Sequence, residues 1–221
     1  MTDSTDAVQP DVTPALHVEG DKPACCKSWV IAGFVLAIVI LVVDQILKWA
    51  VLEHVFRPAL DALNVTLPFA APLSFTQWLA AAPDRLPFYS MEILPFFNLT
   101  MVWNQGVSFG MLAADSAMGR YALVVMSLVI CAAMVFMMLR TTRKIEIISM
   151  GMVIGGALGN VLDRLRFGAV ADFIDVHAFG YHFPVFNVAD AAITIGIAIL
   201  IVFGLFWSGA DKRHDDEKSD M

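Results

Sequence analysis

Residues 121–139, YALVVMSLVICAAMVFMML, run without a charged side chain. Inside a bilayer no water is available to pair a free backbone N–H or C=O, so such a run must cross as a helix. A crossing helix needs roughly 20 largely apolar residues, with about 17–25 tolerated. Three further runs approach that length. Residues 29–43 are uncharged and continue through Asp44 towards Trp49. Residues 147–162 are glycine-rich and reach full length only if extended towards Ile145 or Arg164. Residues 191–207 are again uncharged. Hydrophobic residues make up 58% of the chain, above the roughly 45–50% of a soluble domain. The expected fold is a mainly α membrane protein with four transmembrane helices.

Short loops rich in Lys and Arg stay on the cytoplasmic side. The loop RTTRK at 140–144 carries three of them, so it is expected to be cytoplasmic. Both termini then lie on that side too, and residues 44–120 and 163–190 lie at or beyond the outer face. The expected organisation is a disordered cytoplasmic tail over 1–28, a four-span unit over 29–207 with a long external loop at 50–98, and an acidic cytoplasmic tail over 208–221. The two tails supply most of the net charge of −7, and nothing in the charge pattern suggests nucleic-acid binding. Cys25, Cys26 and Cys131 lie on the reducing side or within a span, so no disulfide framework is expected. No apolar signal run precedes Cys25, so the N-terminus is not expected to be a cleaved leader.

The external segment contains six prolines between residues 57 and 97 and is too interrupted to span. Surface helices and extended pieces are expected there. FNLTMVWNQGVSFGML then alternates as a strand until Gly106 and Gly110 interrupt it, as at a turn or close approach. Gly151, Gly155 and Gly159 form one stripe on a helix, which lets another backbone come close. Gly156 and Gly159 also suggest room for a substrate.

Polar residues gather at one end of the spans: Asp44, Lys48, Asn104, Asn160, Asp163, Arg164, Asp172, Asp175, Asn187 and Asp190. Ionisable groups at membrane depth are costly and point to function. Ser108 has no nucleophile-elbow pattern around it, and the H-E-x-x-H zinc motif is absent. Carboxylates remain. Two that cannot both ionise share one proton and supply a base and an acid together. Arg164 and Arg166 flank Asp163 and mark it as a salt-bridge partner, whereas Asp172 follows the apolar GAVA. Asp172 with Asp190 is the first-ranked pair, and Asp163 with Asp190 the second. Asp175 would share the side of Asp172 in a helix and face away in a strand. A proton-relay transporter would spread acids through the membrane, but the second and fourth spans have none.

Four blocks in this order resemble the lipoprotein signal peptidases, or signal peptidase II. They are DQILKW at 44–49, NLTMVWNQGVSFGML at 98–112, GGALGNVLDRLRFGAVADFIDV at 155–176 and FPVFNVADAAITIG at 183–196. The resemblance implies an intramembrane aspartic endopeptidase of the bacterial inner membrane. It implies removal of signal peptides from diacylglyceryl-modified prolipoproteins, by a cut before the lipidated cysteine. It also implies a small extracytoplasmic β cradle, a surface helix and an active site near the outer face. Asp172 and Asp190 fall on the family's catalytic positions. Asp44, Lys48, Asn104, Gly106, Asn160, Asp163, Arg164 and Asn187 fall on supporting positions, with Arg164 expected to pair with Asp163 or, ranked second, to orient substrate. No metal or organic cofactor is implied, the partners are lipidated substrate and membrane lipids, and a monomer is expected. The segment between Lys48 and Asn104 is longer than the family's usual first external loop, and is expected to enlarge the surface helix or a lid.

Overall fold

A computed structural model of the chain describes residues 24–67, 72–81, 84–106 and 117–219. Among these, four helices are long and apolar enough to cross a membrane. They belong to α1 (Ala24–Val51), α4 (Ala117–Arg140), α5 (Lys144–Phe167) and α6 (Val188–Ser219). Beyond α1 the chain stays helical through a π turn, Leu52–Phe56, and α2, Arg57–Ala62. The loop expected from residue 50 therefore begins as a prolongation of the first span. Lys48 lies fully buried within the helix. A further short helix, α3 (Phe75–Ala81), fills the surface-helix position. The acidic segment from residue 208 continues α6 as helix to Ser219. Residues 1–23 and 107–116, with Ser108 and the rest of the expected strand, lie outside the described residues.

The third span gains its length by running from Lys144 to Phe167. It is the central helix, packed against α1, α4 and α6. The glycine stripe explains how. A methyl on Gly151 would lie 2.5 Å from Gly33 O, and one on Gly155 2.5 Å from Ala37 O. One on Gly159 would lie 2.7 Å from the Asp44 carboxylate, and one on Gly156 would collide with Ala189 O. The space beside Gly156 and Gly159 is thus taken by α6 and by Asp44, not left for a substrate. Close backbone approach supplies the packing that apolar burial cannot supply in lipid.

Four antiparallel strands, in the order β1-β2-β3-β4, form the β cradle. They are β1 (Tyr89–Leu94), β2 (Phe97–Asn104), β3 (Val170–Ala178) and β4 (Tyr181–His182). The β2–β3 register slips between Leu99, opposite Ile174, and Val102, opposite Asp172. One extra β2 residue is accommodated there as a bulge, which breaks the simple alternation expected of β2 and leaves neighbouring Thr100 and Met101 both buried. Beneath the cradle, Leu52, Phe56, Leu60, Trp78, Leu86, Met101, Phe167, Ala171 and Phe173 form a core. The inserted segment is thereby a folded cap on the Phe167 end of α5.

Gly156→Ala is expected to push α6 off α5 and lower the melting temperature in detergent by roughly 4–10 °C. Gly204→Ala, where nothing lies within 4 Å, is expected to leave it unchanged. Equal melting temperatures for the two variants would refute this packing.

Candidate active site

Lys48 lies on α1 with none of its side chain exposed. Its Nζ sits 2.7 Å from Asp44 Oδ2 and 2.7 Å from Asp163 Oδ2. Lys48, Asp44 and Asp163 therefore form a buried triad. Gln45 Nε2 closes it, donating to Asp163 Oδ1 at 2.9 Å and Asp44 Oδ2 at 3.2 Å. The remaining donors are backbone groups. Ala189 N donates to Asp44 Oδ1 at 3.0 Å, and Ala171 N donates to Asp163 Oδ2 at 3.2 Å. These amides belong to the residues just before Asp190 and Asp172, so each carboxylate of the triad grips the backbone beside one of the two aspartates ranked first.

Asp190 stands at the third position of α6, and Asn187 caps that helix. Asp190 N donates to Asn187 Oδ1 at 2.9 Å, and Asn187 N donates back to Asp190 Oδ2 at 3.4 Å. The sequence NVAD is thus a capping box. Phe186, one residue earlier, pairs with Ile174 of β3. That pairing brings Asn187 against β3, where its Nδ2 donates to Asp172 Oδ1 at 2.6 Å. Asn160 Nδ2, from α5, donates to Asp190 Oδ1 at 2.7 Å. Asn187 Nδ2 also lies 3.2 Å from Asn160 Oδ1, so the two amides link the aspartates. Both bind carboxylates directly.

Asp172 is buried and Asp190 half-buried. Burial, reinforced by the nearby charge of Asp190, pushes the Asp172 carboxyl up to about 7. Hydrogen bonds from Asn104 and Asn187 and the charge of Lys48 pull it partly back. Asp172, Asn104 and Gly106 share a groove of about 420 Å³ with Val102, Pro184 and Val185. Asn104 Oδ1 accepts from Gly106 N at 2.9 Å. Gly106 has φ of +97°, and a methyl there would collide with Leu123 of α4. The N-x-G block is therefore a turn that only glycine fits.

One expectation fails. Arg164 does not pair with Asp163, because adjacent helical residues point about 100° apart and Lys48 holds that carboxylate. Arg164 Nη1 instead donates to Asn160 O at 3.4 Å, and its buried Nε has no partner. It remains within electrostatic reach of Asp190, Asp163 and Asp172. Asp175, in a strand after all, has a structural role away from the groove. Its carboxylate accepts from Thr100 at 2.9 Å and Asn98 at 3.3 Å and contacts His182 Nδ1 at 2.8 Å. Burial raises the Asp175 carboxyl, but its hydrogen bonds outweigh burial and hold it below the usual range. Sequence reasoning missed Gln45, although a polar amide within an apolar span was the available signal.

A family model described as signal peptidase (SPase) II matches residues 36–206, well over half of the chain. The chain belongs to the signal peptidase II family. It is accordingly a multi-pass membrane peptidase. The lipoprotein signal peptidase of Rhizorhabdus wittichii is 40% identical over 174 residues, covering 78% of this chain and 85% of that one. That of Methylobacterium radiotolerans is 36% identical over 165 residues, covering 75% and 95%. That of Sphingopyxis alaskensis is 42% identical over 132 residues, covering 59% and 76%. Two solved bacterial membrane enzyme structures share the fold. Their TM-scores are 0.55 and 0.57, at 25% and 26% identity, over 79% of this chain and 88% and 93% of theirs.

The raised Asp172 carboxyl also fixes a stability trend in this peptidase. The folded state holds that proton more tightly than the unfolded chain. Its contribution is complete below the ordinary carboxylate range and is lost as pH rises through about 7. Asp172→Asn, which cannot ionise, is expected to melt roughly 2–8 °C above wild type at pH 8, with no gain at pH 4. Paired melting curves at the two pH values test this, and a gain only at pH 4 would reverse the assignment.

Proposed function

We propose that this family member removes the signal peptide from lipid-modified prolipoproteins through an aspartate pair, Asp172 and Asp190. The observation that carries the reading is their joint placement. The two carboxylates are joined through Asn160 and Asn187, and Asp172 opens on the groove that ends at the Asn104–Gly106 turn. The substrate's extended chain lies in that groove beside the end of β2, and its acyl chains reach the site laterally between helices.

One proton is shared between the carboxylates, held mainly by Asp172. Asp190 takes a proton from a water positioned between them. The resulting hydroxide attacks the carbonyl carbon preceding the modified cysteine, while Asp172 protonates the carbonyl oxygen. The tetrahedral gem-diol then collapses, and a proton passes to the departing cysteine nitrogen. No covalent enzyme intermediate forms. Arg164, with a donor left over beside the pair, orients a substrate carbonyl. The basic loop between α4 and α5 sits in the cytoplasm and the dyad at the outer face of the inner membrane.

Asp172→Asn and Asp190→Asn should each slow cleavage of a lipidated prolipoprotein by about 10³-fold or more. Asp175→Asn should stay within about threefold of wild type. Because the shared proton leaves as Asp172 ionises, kcat/KM should fall as pH rises above about 7. Full activity in either of the first two variants would end the proposal.

A further inference from the structure

Two arginines that take no part in this chemistry converge at the same membrane end. Gly168 follows α5 directly, and Arg120 lies in the first turn of α4. The three-residue connection from Arg140 to Lys144 makes α4 and α5 antiparallel, so both positions lie at one face. A methyl on Gly168 would lie 2.8 Å from Arg85 Nη2 and 3.0 Å from Arg120 Nη1. The two guanidinium groups therefore approach within about 6 Å, where like charges repel. Among the described residues no carboxylate pairs with either. Arg85 Nε caps α5 by donating to Phe167 O at 2.8 Å, leaving its terminal nitrogens over. Arg120 Nε is buried without a partner.

What surrounds the pair identifies the missing anion. Arg85 lies 5.9 Å over Trp103 and Arg120 4.8 Å over Tyr121. Interfacial aromatics and the ends of two spans set this level at the headgroups. From this level down, Tyr121, Val125 and Leu128 expose one face of α4, the surface that acyl chains cover. Planar guanidinium groups bind phosphate oxygens with paired hydrogen bonds. We propose that Arg85 and Arg120 form a binding site for the phosphate of an anionic phospholipid, whose acyl chains lie along α4. Arg85 comes from the inserted cap, so a bound lipid would tie the cap to the spans. The site does not depend on the peptidase mechanism.

Short-chain phosphatidylglycerol, phosphatidylcholine of the same chain length and inorganic phosphate would each be titrated into the full-length protein in neutral detergent, followed by native mass spectrometry. Wild type should bind phosphatidylglycerol about tenfold or more tightly than phosphatidylcholine, and inorganic phosphate at the same concentration should not displace it. R85Q/R120Q should lose the preference, whereas R140Q/R143Q, which removes equal charge from the opposite face, should keep it. Equal binding of the two lipids by wild type would overturn the proposal without recourse to any variant. Displacement by inorganic phosphate would replace the lipid with a free anion. Equal loss in the two double variants would reduce the effect to general charge.

Discussion

A lysine without solvent is the constraint on which this molecule is built. Lys48 carries its ammonium inside a four-helix membrane protein, so it must be paired there or cost several kcal/mol. Asp44 supplies one partner from its own helix, and Asp163 the other from α5. Those two acids and one base would leave excess negative charge. Gln45 and the amides of Ala171 and Ala189 answer it, so that all four carboxylate oxygens accept a hydrogen bond. Removing one member would strand the others, at roughly 3–5 kcal/mol for a broken buried pair. A fully satisfied network of this kind permits few alternative arrangements, and here it fixes α1, α5, α6 and β3 together.

That rigidity is transmitted to the aspartates through backbone rather than side chain. Asp44 and Asp163 touch neither Asp172 nor Asp190. They hold the peptide groups directly before them, while Asn187 and Asn160 hold the carboxylates themselves. The two aspartates also sit in different surroundings. Asp190 faces the N–H groups and positive dipole end of α6, whereas Asp172 is buried on a strand and raised to about 7. Unlike environments for two carboxylates are what assign a base and an acid to a pair.

The spans were legible because an uncharged run of sufficient length has one outcome in lipid. Asp172 with Asp190 ranked first because Asp172 follows the apolar GAVA, whereas Asp163 has two arginines close after it. The partner of Asp163 was misread for a geometric reason: Arg164 is adjacent in sequence, but Lys48 is adjacent in space. The first span was ended at residue 50, where its apolar run stops, although the buried Glu53–Arg57 pair lets the helix continue to Ala62. The strand β3 could not be separated from a helix by pattern alone, since Val170–Phe173 is buried without interruption. The alternation expected in β2 was broken by a bulge that only pairing with β3 reveals.

The inserted segment was least legible, because its core joins residues as distant as Leu52 and Phe173. Its structure explains why a long insertion can lie against β3 without disturbing the groove face of that strand. Ala171 and Phe173 pack into the cap core, while Asp172 between them faces the groove. The alternation of a strand thus gives one short segment two duties. Arg166 adds a second tie. Its guanidinium lies 4.1 Å over the buried Trp78 ring and bonds Trp78 O, and it reaches Gln45 Oε1 at 3.3 Å. Gln45 in turn donates to both acids that hold Lys48. The cap therefore rests on the same network that orients the aspartates, so its packing and the geometry of the site are set by one set of contacts.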